Sequence, residues 1–386
     1  MKDRMANRQI WEVAKSNSSF WGERLQLVRE FRGWTQKEFG ELLGVSHALI
    51  SDLENGKRSP TSQMLEILHT ETGFLPDFFF NRLEDPFSET QCSFRHRRST
   101  SEKLKNTIRA RATLLGLVVT ALKKSFKFPE FDIPSLPASS VEEIEAAAEK
   151  CRIHWGFDLN APIMQVGRVL ERAGVIVVPG SVDTSKVDAF SRYGQNSLIF
   201  MNRGAGTQPS RWNFDLAHEC GHFALHRDMQ TGSVETEVAA DQFASAFLLP
   251  KTAFSREFRI KRFSWEHVFE LKQHWRVSAA AVIRRSRDLG FLDELSYRRA
   301  FQYMSSKKWR TKGEPFEPDF QEPELLVNSI NALGRNVAKT VDDICGELKI
   351  TLMVFNEITG ITLKSNREKA SPPISNNPKL LHFPTQ

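Results

Sequence analysis

His218 and His222 stand four residues apart in the sequence HECGH, with Glu219 next to the first. On an α-helix that spacing puts both imidazoles on one face, about 5–6 Å apart at Cβ, the separation that a single Zn²⁺ needs. Glu219 lies one step round the helix, near such an ion without competing for it, where a carboxylate can take a proton from water. A hydrolytic zinc site has three protein ligands and one open position. The third ligand has two candidates downstream, Glu235 and Glu237, on a segment that can turn back at Gly232. The spacing favours Glu237, because only Glu237 has a carboxylate, Asp241, four residues further on. Asp241 is then placed to accept an N–H from a ligand histidine and fix its tautomer. His226 continues the four-residue series past His222, and Tyr193 stands at the end of a strand-like run. Both are candidates for touching substrate or stabilising an oxyanion. The expected load is one Zn²⁺ per chain, and Cys220, inside the motif, reads as a buried neutral thiol.

These side chains need helices to hold them. A helix is expected over residues 212–227 and another over 234–249, where Pro250 ends it. Upstream, VEEIEAAAEKCRIHWG and PIMQVGRVLERAG have helical periodicity, while VIVVPG, VDAFSRY and NSLIFMN are short strand-like runs. Helices flanking a small meandering sheet indicate an α+β body over residues 141–315, with further helices across 265–303. After the connector GEPFEPDFQEP, residues 323–363 read as a small carboxy-terminal module of helix and strand. The polar, proline-rich segment 364–386 is expected to be disordered.

Residues 20–82 form a separate all-α head. Thr35 with Glu38 makes a capping box, Gly44 stops that helix, and Ser46 caps the next. Two short helices joined at Gly44, Val45 and Ser46 make a helix-turn-helix. Its second helix would carry Ser46, His47, Ala48 and Ser51 to base edges, with Gln36, Lys57 and Arg58 on phosphates. Charge complicates that assignment. The whole chain of 386 residues has a net charge of +6, yet the head holds nine acidic residues against seven basic ones, with Asp52 in the reading helix. Residues 95–127 carry ten Lys and Arg and a single acid, Glu102, and are broken from the body by Pro129, Pro134 and Pro137. Residues 83–140 therefore read as a basic helical linker, able to add the phosphate contacts that the head lacks.

Other classes are excluded by composition. With 26% charged and 40% hydrophobic residues, the chain is an ordinary globular protein rather than a disordered or polycationic one. Its longest apolar run, 112–122, is well short of the ~20 residues that cross a bilayer. The first residues, MKDRMANRQIWEVAK, have no apolar signal region, so a cytoplasmic location without membrane partners is expected. Cys92, Cys151, Cys220 and Cys345 form no close pair, which leaves histidine and carboxylate to hold any metal.

Two families are resembled. The run GWTQKEFGELLGVSHALISDLENGK, through Gln36, Gly44, Val45, Ser46, Ile50 and Glu54-Asn55-Gly56, is similar to the Cro/repressor-type (XRE) helix-turn-helix family. From about residue 141 to 315, VDAFS, HECGH, EVAADQFASAFLLP and WRVSAAAVIRRSRDLG resemble the ImmA/IrrE metallopeptidase family in their order. SFRHRR, between the two, looks like the junction found in such fusions. The second resemblance implies a zincin-like fold with His218, His222 and Glu237 as zinc ligands and Glu219 as base. It also implies endoproteolysis of a partner repressor in a stress, phage or toxin-antitoxin type of response. The first implies an operator DNA partner and a homodimer. The alternative reading keeps the DNA-binding head and makes the peptidase fold a sensor or interaction module without turnover.

Overall fold

The computed structural model describes residues 19–83, 92–96, 101–180, 187–202, 207–227, 229, 231–258 and 263–363. The tail expected to be disordered, 364–386, lies outside them. The described residues form two units: one holds 19–83, 101–127 and 327–363, the other 92–96 and 128–326.

In the first unit, α1 (Gly22–Phe31), α2 (Gln36–Leu43), α3 (His47–Glu54) and α4 (Ser62–Thr72) form the head. Thr35 Oγ1 accepts from the Glu38 N–H while the Glu38 carboxylate accepts from the Thr35 N–H, and these bonds hold the exposed Glu38 carboxyl down at about 2. Gly44 takes the left-handed conformation with φ +68°, and Ser46 caps α3 by accepting from Leu49 N–H. Glycine is required at two helix crossings. A Cβ on Gly22 would lie 2.2 Å from Leu53 O, and one on Gly40 would lie 2.7 Å from Val45 O. A 3₁₀ turn, Pro76–Phe80, follows α4.

The stretch read as a basic linker is divided between the units. One strand of it, β1 (Cys92–His96), joins the sheet of the second unit. Its helix, α5 (Glu102–Lys123), packs in the first unit against α1. The cause is the apolar face of α5, where Leu114, Leu115, Val118, Val119 and Leu122 are all buried. Residues 128–138, from the same stretch, lie in the second unit. The carboxy-terminal module also differs from expectation, being helical rather than helix and strand. Its helices, numbered α15 (Leu325–Ala332), α16 (Val341–Leu348) and α17 (Leu352–Thr359) after those of the second unit, are joined to the head rather than set apart. Thr351 N–H donates to Gly73 O and Leu75 N–H to Lys349 O, and Arg32 pairs with Glu357 at 2.6 Å. Its only extended contact among the described residues of the head is a single bridge, Phe74 with Ile350.

In the second unit α6 (Val141–His154) and α7 (Val166–Arg172) precede β2 (Ile176–Gly180), β3 (Val187–Arg192) and β4 (Leu198–Asn202). The strand order is β1-β3-β4-β2. β1 and β4 run antiparallel to β3, but β2 pairs with β4 in parallel, Val177 opposite Ile199. The sheet is therefore not a simple meander. The apolar run of Leu198, Ile199, Phe200 and Met201, buried throughout, suits β4 to a central position covered on both faces.

Helices α8 (Pro209–Leu225), α9 (Val234–Leu248), α10 (Lys251–Phe258), α11 (Trp265–Trp275), α12 (Ala279–Asp288) and α13 (Glu294–Ser306) complete this unit, followed by a one-turn helix, α14 (Trp309–Lys312). Small residues bring α8 and α9 together: a Cβ on Gly221 would stand 3.1 Å from the Phe243 ring. Among the described residues no helix is long and apolar enough to cross a membrane.

Candidate metal centre and nucleic-acid interface

α8 delivers His218 and His222 from one face, and both rings are buried, at 1% and 3% exposure. Their Nε2 atoms face each other at 3.1 Å. α9, starting at the Ser233 cap, brings Glu237 back across them, with Oε2 3.4 Å from His218 Nε2 and Oε1 3.3 Å from His222 Nε2. The two ring nitrogens thus face each other, and each meets a different oxygen of the Glu237 carboxylate; one donor atom from each of the three residues lies within 4.8 Å of the others. The donor set of two imidazoles and a carboxylate is of the kind that holds zinc, and it is compact enough for one ion of that size. No other group of three potential ligands occurs among the described residues.

The surroundings suit this use. Burial drives the His222 imidazole down to about 4, against a rise from its bond with Glu237, so the ring is neutral and can offer a lone pair at pH 7. Burial raises the Glu237 carboxyl, but its bonds to His218 and His222 win and hold it ionised. Behind the first ring, His218 Nδ1 lies 2.8 Å from Asp241 Oδ1, which presents Nε2 toward Glu237. Behind the second, His222 Nδ1 lies 3.1 Å from His226 Nδ1. Glu219 is wholly buried on α8.

Two candidates for substrate contact lie elsewhere. His226 meets His222 through Nδ1 at 3.1 Å, the opposite ring nitrogen from the one that faces Glu237. Tyr193 packs on Phe131 at 5.2 Å and lies under the Arg227 guanidinium; its described contacts include none of His218, His222 and Glu237. Glu235, the rival ligand, is exposed and held at the start of α9 by its own backbone and Ser233. One neighbour escaped the sequence reading: Arg284 on α12 reaches Asp241 Oδ2 at 3.5 Å. Nothing in the spacing of two residues 43 positions apart marks that pair.

On the head, Ser46, His47, Ala48, Lys57 and Arg58 are exposed, and Gln36 and Ser51 are half-buried. Gln36 does not present a free amide to a phosphate. Its Nε2 donates to Glu54 Oε2 at 2.8 Å, while Arg29 grips the same carboxylate at 2.5 and 3.1 Å. Ser51 accepts from Asn55 through both its carbonyl and its hydroxyl. Asp52 in the reading helix is partly balanced by Lys57 and Arg58, at 3.9 and 3.6 Å. The basic helix α5 spends several cations internally: Lys103 on Glu38, Lys105 on Glu102, and Lys124 on Glu347. Arg111 is buried and donates to Ile358 O.

A family described as Helix-turn-helix matches residues 25–78, and one described as IrrE N-terminal-like domain, a peptidase family, matches residues 170–287. Over 49 residues the chain is 31% identical to the uncharacterized HTH-type transcriptional regulator YazB of Bacillus subtilis (strain 168), covering 13% of this chain and 71% of YazB. The chain belongs to the helix-turn-helix regulators and carries an IrrE-type peptidase-family domain. The helix-turn-helix match spans α2, the turn at Gly44 and α3, which are the parts of a DNA-binding domain. The IrrE-type match contains His218, Glu219, His222, Glu237, Asp241 and Arg284, and ends before α13.

Proposed function

We propose that this regulator is a zinc-dependent endopeptidase whose substrate is a partner regulatory protein and whose head binds operator DNA as a homodimer. The observation that carries the catalytic reading is the convergence of His218, His222 and Glu237, whose facing nitrogens lie 3.1 Å apart and each meet one oxygen of the carboxylate at 3.3–3.4 Å. His218, His222 and Glu237 would hold the ion. Bound there, zinc supplies Lewis acidity, lowering the pKa of a water to about 7 and polarising a scissile carbonyl. Glu219 would accept a proton from water and pass it to the leaving amine. Asp241 and His226 hold the two imidazoles in orientation from behind.

Glu219→Gln tests the reading. The variant should take up one zinc per chain, as the parent does, while cleavage of a partner encoded beside it falls by at least about a hundredfold, the usual contribution of a general base. His222→Ala should lose the zinc as well. Normal cutting by Glu219→Gln would remove the proposed base. Zinc uptake with no cleavage by the parent would favour the sensor reading, in which the fold signals without turnover.

A further inference from the structure

Away from the metal centre, the second unit bears a cluster of aromatic rings at its surface. Trp265 and Phe269 come from α11, Tyr303 from α13, and Trp309 and Phe316 from the chain that follows. Trp265 stacks on Tyr303 at 4.8 Å and meets Trp309 edge-on at 5.1 Å. Phe269 meets both Trp309 and Phe316 at 5.4 Å. Val268, Leu271 and Trp275 bury the inner face of α11, and Trp265, Phe269 and Trp309 pack, partly buried, against the same core. Tyr303 and Phe316 are instead 39% and 58% exposed.

Two further features mark the patch. Lys307 Nζ lies 5.3 Å over the Tyr303 ring, and Lys308 and Lys312 are exposed on the same short segment. Residues 307–312, KKWRTK, contain four Lys or Arg and no acid, although Glu266 and Glu270 on α11 and Asp319 beyond Phe316 are exposed, and Glu314 and Glu317, either side of Phe316, pair with Lys272. The backbone is also strained here. Of the four non-glycine residues with positive φ among the described residues, Lys308 and Phe316, both at 58°, lie in this patch. A bulky side chain at that φ is an outlier that glycine would relieve. Stability alone therefore does not account for an exposed phenylalanine at position 316.

The chemistry selects among partners. Interfaces between proteins are rich in aromatic residues but poor in lysine. A surface combining open rings with lysines suits a flexible polyanion whose bases can stack, which is a single strand of nucleic acid. We propose that this face binds single-stranded nucleic acid, with bases stacking on Tyr303 and Phe316 and phosphates meeting Lys307, Lys308 and Lys312. This site is distinct from the helix-turn-helix and independent of any peptidase activity.

The test uses the full chain and a fluorescent oligo(dT) of about 20 nucleotides, followed by anisotropy. Binding should weaken steeply between about 50 and about 200 mM salt as counterions reoccupy the strand. Phe316→Gly and Lys308→Gly remove a ring and a charge at positions where glycine relieves the backbone, so each variant should melt no lower than the parent. Combined, they should weaken oligo(dT) binding about tenfold, in line with the loss of one stacked base. Lys307→Glu with Lys312→Glu, both at exposed positions, should weaken it at least as much. Absence of oligo(dT) binding at low salt overturns the proposal. So does parental affinity in both combined variants, because the binding would then belong to the head.

Discussion

Asp241→Asn isolates the contact behind His218. The asparagine keeps the shape of the aspartate but offers the Nδ1–H of His218, now 2.8 Å from Oδ1, a neutral amide oxygen in place of a charged carboxylate, a weaker acceptor. Partners of this kind contribute about 10–100-fold to metal affinity, or about 1.4–2.8 kcal/mol. The effect should appear in stability through linkage. With free zinc buffered at about 100 times the parental Kd, zinc stabilises the parent by about 2.7 kcal/mol. A tenfold weaker site would leave about 1.4 kcal/mol, and a hundredfold weaker one about 0.4 kcal/mol. For a unit of this size the zinc-induced rise in Tm should shrink by about 3–9 °C. The substitution also frees Arg284, but Arg284 is half-exposed. Any loss from that weak surface pair is present with and without zinc and cancels in the difference. The assay is thermal unfolding in matched zinc-buffered and chelator solutions, with the Kd read independently by competition with a chelating dye. A zinc Kd within about twofold of the parent, against the expected tenfold or more, would refute the orienting role of Asp241. The result stands apart from catalysis, since it needs no substrate.

Two further outcomes concern the frame of the protein. Burial lifts the Glu171 carboxyl to about 7, so the folded chain keeps a proton that the unfolded chain releases near 4.5. Its contribution is greatest at low pH and is lost as pH rises from about 4.5 to about 7, by up to about 3 kcal/mol. Glu171→Gln should abolish that fall. Its Oε1 can still accept the Glu324 and Leu325 N–H groups, both of which use Oε1 in the parent. Urea midpoints at pH 5 and pH 8 that move in parallel for parent and variant would contradict the assignment. In the head, Gly22→Ala would force a methyl to 2.2 Å from Leu53 O. The expected loss is about 3 kcal/mol or more, measured by denaturant unfolding, and a loss under about 0.5 kcal/mol would show that α1 and α3 can separate at no cost.

What the sequence made legible was local. The spacing of His218 and His222, the spacing of Glu237 and Asp241, and the caps at Thr35 and Ser46 all obey helical geometry within four residues. His226 belonged to the same series. Its fourth-residue spacing brings it against His222. The misreadings all turn on long-range contacts. Arg111 is buried, and its partner carbonyl, on Ile358, lies 247 residues away, so the stretch read as a basic helical linker also spends a cation inside the core. Gln36 was assigned to a phosphate because Glu54, 18 residues on, offers no local signal of its claim on the amide. The parallel pairing of β2 with β4 likewise rests on which strand is apolar on both faces rather than on chain order. Helical periodicity encodes the neighbours one turn away. The register between distant segments is set by which buried surfaces fit, and here that rule decides where the basic charge of α5 goes. Part of that charge is paired inside the head unit, on Glu38, Glu102 and Glu347, which among the described residues leaves Lys57, Arg58 and the exposed amino end of α3 as the proposed phosphate contacts of the head.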